Sequence, residues 1–155
     1  MAKKSSGKKA TAADAQIVMQ MYDLRREAEM RKARNWFGKW NPKSFDEITQ
    51  LSMAMDSQEN AWLRQVLTYW ENAASLVLQG AVHPGLFMDW GGEMMFVYVK
   101  LKPWLKQIRD FNNMPEWMGK VEKVCTSTPE LRKRVAFMEE RFKKFAEMRA
   151  KSAKA

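Results

Sequence analysis

The chain has 155 residues and a net charge of +9, and 46% of its residues are apolar against 29% charged. This length and composition are typical of one globular domain and exclude a disordered chain. No window approaches the roughly 18 consecutive apolar residues that a membrane crossing needs. The single cysteine, Cys125, excludes an intrachain disulfide and favours a reducing compartment. We therefore expect a cytoplasmic protein without a transmembrane segment.

The positive charge is concentrated at the two ends of the chain. Residues 1–10 carry four lysines and no acid, and residues 130–155 carry nine basic against four acidic residues. Between them the charges balance. An anionic partner would therefore meet the ends rather than a basic cleft. We predict a disordered basic tail at 1–10, a helical domain at 11–150 and a frayed tail at 151–155.

Few glycines, few prolines and rare β-branched runs favour helix throughout. The first predicted helix covers 12–36, with a cap at Thr11 or Asp14, and Gly38 and Pro42 follow its end. Its apolar residues are spaced by four, three and four, which gives it one face that can dock. These residues are Ile17, Met21, Leu24 and Ala28.

The next helices are predicted at 45–55 and 58–80. Ser44 and Glu47 have the spacing of a capping box, which starts the shorter helix and turns Ile48 inward. The longer helix repeats apolar residues in steps of four and three on two adjacent rows, so neighbouring elements should cover most of it. Gly80 is its predicted end.

A second apolar helix is predicted at 84–110, after a short His-Pro-Gly turn. Its apolar residues repeat in heptads, so it should pair antiparallel with helix 58–80. Gly91 and Gly92 each lower the stability of the helix by roughly 1 kcal/mol relative to alanine. Such a cost suggests that another backbone lies close to this position. Pro103 should kink this helix.

The chain then continues with a short helix after Pro115 and a last helix at 130–150. Thr128-Pro129-Glu130 is a strong start signal for this last helix. Its predicted inward row again steps by four and three, and it consists of Leu131, Val135, Met138, Phe142 and Phe145. Together these elements predict an all-α, single-domain bundle of five or six helices around the central antiparallel pair.

Three short motifs resemble an uncharacterised bacterial family that is catalogued only as a domain of unknown function. They are Trp40-Asn41-Pro42 with Phe45, Leu67-Thr68-Tyr69-Trp70-Glu71 with Gly80, and Lys100-Leu101-Lys102-Pro103-Trp104-Leu105. The resemblance covers about residues 34–110, and Thr68 stands where the family tends to have Asn. Many members follow an N-terminal membrane anchor, whose place is taken here by a basic tail and a charged helix. The resemblance implies a helical fold and no particular activity.

Few residues are candidates for catalysis or metal binding. Asp89 and Glu93, with Glu71 from the facing helix, have bundle-metal spacing, but such sites also need Glu-x-x-His pairs, and His83 is the only histidine. His83 has no serine, cysteine or acid placed by sequence to form a catalytic relay, so a helix-start role is favoured. Cys125 is expected to be a small buried side chain. We therefore expect no enzyme, no cofactor and no metal.

Two groups of residues are candidate partner-binding sites. Aromatic and basic side chains alternate in the first group, a mixture that can stack on bases or sit at lipid headgroups but more often closes a helix end over the core. The second group lies in the basic last helix. The candidates are Trp36, Phe37, Lys39, Trp40, Arg141, Phe142, Lys143 and Lys144.

The sequence leaves two functions open. The first is a non-catalytic helical interaction or accessory protein that binds a protein partner or itself through amphipathic helix faces. The alternative is a basic accessory protein that grips nucleic acid or an anionic membrane surface through its lysine-rich ends, with a steep salt dependence.

Overall fold

The computed structural model describes residues 7–153. Within that range it contains nine α-helices, one 3₁₀ turn and no β-strand. The helices are α1 (Ala12–Arg26), α2 (Ala28–Lys39), α3 (Phe45–Met53), α4 (Gln58–Leu78), α5 (Pro84–Trp90), α6 (Gly92–Leu101), α7 (Leu105–Asn112), α8 (Gly119–Cys125) and α9 (Pro129–Ser152). The all-α class is confirmed. The predicted number of five or six helices is wrong, because two of the predicted helices are interrupted.

The chain forms two compact units, of which the first ends at Gly92 and the second begins at Glu93. The described part of the predicted N-terminal tail, residues 7–10, is exposed and has no regular structure. At the other end α9 continues through Lys151 to Ser152. Residues 1–6 and 154–155 of the two predicted tails lie outside the described residues, and the domain boundaries stay predictions.

Helix α4 is the centre of the first unit. Helix α2 packs along it, α3 also contacts it, and α1 contacts α2 and α5. Both apolar rows of α4 are covered, as the spacing predicts, because neighbouring helices lie against more than one of its sides. Its buried residues are Asn60, Leu63, Val66, Leu67, Trp70, Ala73, Ala74 and Val77.

The predicted helix 12–36 is broken at Glu27, whose backbone is extended at ψ 144°. Side chains replace the helical hydrogen bonds lost there: the Glu27 carboxylate accepts from the Met30 amide at 3.0 Å, and Arg34 donates to the Arg25 carbonyl at 3.2 Å. Leu24 and Ala28, both predicted to face inward, are exposed, because the buried side of α1 passes through Val18 instead. Neither Gly nor Pro marks the break.

Gly80 ends the α4 region as predicted. Its φ of +73° lies in the left-handed region that favours glycine. The amide of Ala81 donates to the Leu76 carbonyl at 2.9 Å, and the amide of Gly80 donates to the Val77 carbonyl at 3.1 Å. These two bonds form a Schellman motif, which satisfies carbonyls that a helix end otherwise leaves open.

The predicted helix 84–110 is also interrupted, so the second member of the predicted central pair is wrong. Helix α5 ends before Gly91, and a 3₁₀ turn at Lys102–Trp104, which contains Pro103, separates α6 from α7. A Cβ added at Gly91 would lie 3.1 Å from the carbonyl oxygen of Phe87, in the preceding turn. Among the described residues, nothing lies within 4 Å of a Cβ at Gly92. The close backbone expected there is therefore the same helix, not another one.

The second unit contains most of α6 and all of α7–α9, and α8 packs on α9. A polar network ties α6, α7 and α8 together. Both Tyr98 and Arg109 donate to the Glu122 carboxylate, at 3.3 and 2.7 Å, and Arg109 also donates to the Trp117 carbonyl at 3.0 Å. Burial, with the nearby Glu122 charge, raises the pKa of Tyr98 well above its ordinary value, so Tyr98 stays a neutral donor.

Candidate partner-binding surfaces

The first predicted group lies at the end of α2, in the first unit. The Trp36 and Trp40 rings are stacked, with centroids 5.5 Å apart, and Trp62 of α4 lies 6.3 Å from Trp36. Phe37 is only 2% exposed, whereas Lys39 is exposed. Because the rings cover one another, this group has the geometry of an aromatic closure over the core more than of an open stacking platform.

The second predicted group lies on α9, in the second unit, and its members point in different directions. Phe142 is half-buried and packs edge-on against Phe96 of α6, at 5.1 Å. Lys143 is exposed and pairs with Glu140 at 3.0 Å. Arg141 and Lys144 are also exposed. Phe142 thus joins α9 to the core of the unit, and the three basic residues remain at the surface.

Arg141 also belongs to a third group, whose other members were not predicted as a surface from the sequence. We call this group the outer face of α9: Phe137, Arg141, Phe145 and Met148. The three apolar side chains are 65%, 49% and 62% exposed. The guanidinium carbon of Arg141 lies 5.9 Å from the centre of the Phe137 ring and 5.6 Å from that of Phe145. Spacings of four, four and three residues place all four side chains on one side of the helix.

Phe145 was predicted to face inward, and it does not. The predicted row from Leu131 is buried only in its first part: Leu131 and Val135 are 9% and 4% exposed. Met138 and Phe142 are half-buried, and every described residue after Phe142 is exposed. The step of four residues from Phe137 to Arg141 to Phe145 was the available signal, but it is hidden among charged neighbours.

The charges around the outer face are mainly positive. At 3.6 residues per turn, Arg134 and Lys144 lie within about 60° of its centre at Arg141, whereas Glu140 and Glu147 lie about 100–120° away. Two acids of α9 already hold ion-pair partners: Glu139 pairs with Lys102 at 2.7 Å, and Glu140 with Lys143. The outer face from position 134 onward is therefore apolar and basic.

The residues considered for chemistry are held in structural roles. His83 caps α5: its Nδ1 accepts from the Leu86 amide at 3.1 Å, and its own amide donates to Asp14 at 2.8 Å. Cys125 is fully buried, and this burial raises the pKa of its thiol to about 12. A thiol with that pKa is a weak nucleophile at neutral pH.

The carboxylates considered as metal ligands do not share one helix, because α5 ends between Asp89 and Glu93. Asp89 is exposed, while Glu71 and Glu93 are half-buried. Across residues 7–153, no three His, Cys, Asp or Glu side chains are grouped as metal ligands would be. The expectation that the protein uses no metal stays an expectation.

Two further features of the second unit concern its charged side chains. An open groove is lined by charged residues, and its cations Lys102, Lys106 and Arg109 pair with Glu139, Asp110 and Glu122. The other feature is Lys100, whose Nζ lies 4.8 Å from the centre of the Phe96 ring. Burial lowers the pKa of Lys100 to about 8.

These features define an all-helical protein whose α9 leaves an apolar and basic face uncovered within residues 7–153. In the same residues, no helix combines the length and apolar character needed to cross a bilayer. The chain belongs to the family described as Domain of unknown function (DUF4760), whose model matches residues 10–128. The match extends beyond the range 34–110 that carried the resemblance, and it ends just before α9 begins at Pro129. No curated protein and no solved structure matches the chain.

Proposed function

We propose that the protein is a non-catalytic helical interaction protein that binds a protein partner through the outer face of α9. The observation that carries this proposal is the row of exposed apolar side chains, Phe137, Phe145 and Met148, on one side of a regular helix. Single exposed apolar residues are ordinary, but several in helical register are typical of an interaction site.

Burial of this face would stabilise a complex. Complete burial of a Phe or Met side chain is worth about 1.5–3 kcal/mol relative to leaving it exposed, so three half-exposed side chains offer a few kcal/mol in total. Helix α9 lies beyond the family match, so the proposal concerns this chain's own C-terminal helix rather than the family as a whole. The matched helices would serve as its scaffold.

The proposal gives the residues predicted from the sequence different roles. Arg141 contacts the partner directly, and Lys144 lies beside the contact. Phe142 anchors α9 to α6 through Phe96. The group at Trp36–Trp40 remains a weaker candidate for a second contact, because its rings already lie against one another.

The test is affinity capture from a lysate of the native cells, with quantification of every captured protein. We expect the double variant Phe137→Ser, Phe145→Ser to lose at least one protein that the wild-type chain retains. The matched control is Phe111→Ser, because Phe111 is similarly exposed, at 61%, and lies on α7. If the double variant and the control capture the same proteins as the wild type, the proposal fails.

A second candidate function rests on the basic residues exposed along α9. Lys133, Lys143, Lys144 and Lys151 are all exposed, and so are Lys8 and Lys9 before α1. We propose as the alternative that these ends hold nucleic acid or an anionic membrane surface. Such binding would weaken steeply with added salt, because each phosphate contact releases a counterion.

Removal of residues 1–10, together with neutralisation of Lys143, Lys144, Lys151 and Lys154, tests this alternative. We expect binding to duplex DNA or to vesicles containing phosphatidylglycerol to be lost in this variant if the alternative holds. Unchanged binding would exclude it. For location we propose the cytoplasm, supported by the free and buried thiol of Cys125.

A further inference from the structure

The position of Arg141 points to the chemistry of the partner. Its guanidinium lies at the centre of the outer face, close to the rings of both Phe137 and Phe145. Within residues 7–153 Arg141 makes no ion pair and no hydrogen bond to another residue. Its N–H donors are therefore available, and the planar guanidinium is the cation best suited to a carboxylate.

A partner that covers Phe137 and Phe145 must also cover Arg141. A guanidinium removed from water needs a hydrogen-bonding anion, since an unpaired charge at the centre of an interface is costly. The partner must therefore supply an acidic group between two apolar contacts. The basic residues Arg134 and Lys144 beside the face favour further acids on its flanks.

The dimensions of the face suit a helix. Positions 137 to 148 span about three turns, or roughly 16 Å at 1.5 Å per residue. A second helix of similar length can place apolar residues at i, i+4 and i+7 along this row. An acid at one of the positions between them would then meet Arg141.

The same geometry disfavours three other occupants. If a second copy covered the stretch 137–148 in the antiparallel direction, Arg141 of one copy would face Lys144 of the other, which is repulsive. A membrane surface would force the central Arg141 toward the acyl chains, whereas membrane-bound helices carry their cations at the flanks. Nucleic acid would leave much of the apolar surface of Phe137 and Phe145 without an apolar partner.

We propose that the outer face of α9 binds an acidic amphipathic helix of a partner protein, with a carboxylate of that helix paired to Arg141 between Phe137 and Phe145. This inference rests on the proposed function and adds the chemical class of the partner. It predicts that the outer face of α9 binds a negatively charged amphipathic helix more tightly than a positively charged helix with the same apolar pattern.

The probes are two stapled helical peptides with the same leucine spacing at i, i+4 and i+7. One carries glutamates and the other lysines at the remaining positions. Binding to the full chain is measured by fluorescence anisotropy at physiological salt. We expect the glutamate peptide to bind at least about tenfold more tightly, because charge-assisted hydrogen bonds form with only one of the two peptides.

Arg141→Gln should weaken binding of the glutamate peptide by about tenfold or more, because the central ion pair is lost. The matched control is Lys143→Gln, which removes the same charge from the opposite side of α9 and should change the affinity by less than about twofold. Unfolding of each variant is followed by circular dichroism, so that a loss of fold is not taken for a loss of binding.

Several results would overturn the inference. They are failure of the glutamate peptide to bind, equal binding of both peptides, and equal effects of Arg141→Gln and Lys143→Gln. Arg141-dependent binding to phosphatidylglycerol vesicles or duplex DNA, without binding to the glutamate peptide, would assign the face to those ligands instead. If the Phe137→Ser, Phe145→Ser variant still loses a captured protein, the proposed function survives and only the acidic partner is rejected.

Discussion

Helices α4 and α9 share the same apolar spacing, but the rest of the chain covers the apolar residues of α4 much more completely than those of α9. Both are long, at 21 and 24 residues, and both repeat apolar side chains in steps of four and three. Yet Trp70 on α4 is 1% exposed, while Phe145 on α9 is 49% exposed. The repeat shows that a helix has an apolar side, and it does not show that the same chain covers that side.

The extent to which other helices pack against each helix explains the difference. Helix α4 has two adjacent rows, and α2 and α3 both pack against it. Helix α9 contacts α8 near its start and α6 through Phe142, and its described residues from position 143 onward are exposed. These contacts cover the inward row of α9, so the apolar residues of its outer face remain uncovered within residues 7–153.

The largest expected effect on stability lies in α4. Trp70→Ala should lower the free energy of unfolding by about 3–5 kcal/mol, because it removes a large buried side chain and leaves a cavity. It also removes the ring above which the Arg25 guanidinium lies, at 5.4 Å. Urea denaturation measures this loss. A loss below about 1 kcal/mol would show that α4 is not the buried centre of its unit.

A smaller effect is expected at Asn60, the one buried polar residue of the described chain, at 2% exposure. The Nδ2 atom of its side chain donates to the backbone carbonyls of Leu51 and Ser52, at 2.9 and 3.1 Å. Asn60→Ala should cost about 1–3 kcal/mol, because both carbonyls lose the hydrogen bond from the Asn60 side chain.

The matched control for Asn60 is Asn72→Ala, an exposed position on the same helix. It should change the free energy of unfolding by less than about 0.5 kcal/mol, and the same denaturation series measures both variants. Equal effects of the two variants would contradict a role for the Asn60 hydrogen bonds between α3 and α4.

The stability of the second unit should depend on pH through Lys100. Burial lowers its folded-state pKa to about 8, from 10.5 in the unfolded chain. Between these pH values the unfolded chain binds more protons, so the contribution of Lys100 to stability rises as the pH rises from about 8 to 10.5. Below pH 8 Lys100 is charged in both states, and the full cost of burying the ammonium is present.

Comparison of the wild type with Lys100→Met isolates this effect from other titrating groups. We expect the wild type to gain stability relative to the variant over that pH range, by on the order of 1 kcal/mol, because Lys100 keeps partial contact with water. Chemical denaturation at a series of pH values measures the difference. A difference that stays constant with pH would show that Lys100 is not desolvated beside Phe96.

The smallest effects are expected on the outer face of α9. Phe137→Ala and Phe145→Ala should each change the free energy of unfolding by less than about 0.5 kcal/mol, since both rings are largely exposed and alanine is a better helix former. Urea denaturation again provides the measurement. A loss above about 2 kcal/mol would mean that these rings belong to the core and would contradict the comparison with α4.

Much of the fold could be predicted from local signals. Gly80, the cap of α1 at Thr11 and the two rows of α4 each have a residue pattern with a direct physical cause. The break at Glu27 could not be predicted, because it depends on Arg34 reaching back to the Arg25 carbonyl. The sequence showed that Gly91 and Pro103 disfavour a regular helix, but it did not show that helices end at these positions.

The candidate surface was predicted only in part. Arg141 and Lys144 were identified from the basic character of α9, whereas Phe137 was not, and Phe145 was assigned to the core. The inward row and the outer face share one helix, and their members are only a few residues apart. Which residues are covered depends on the packing of α9 against α6 and α8, and a helical repeat does not contain that information.

Photo-crosslinking inside cells tests the central claim most directly. Phe145 is replaced by p-benzoylphenylalanine, and Phe111 is replaced in the same way in a control chain. We expect irradiation to give a discrete heavier species with the first chain and not with the second, because a partner protein lies against the outer face of α9. The absence of a crosslink at Phe145, or the same product from both positions, would contradict this account.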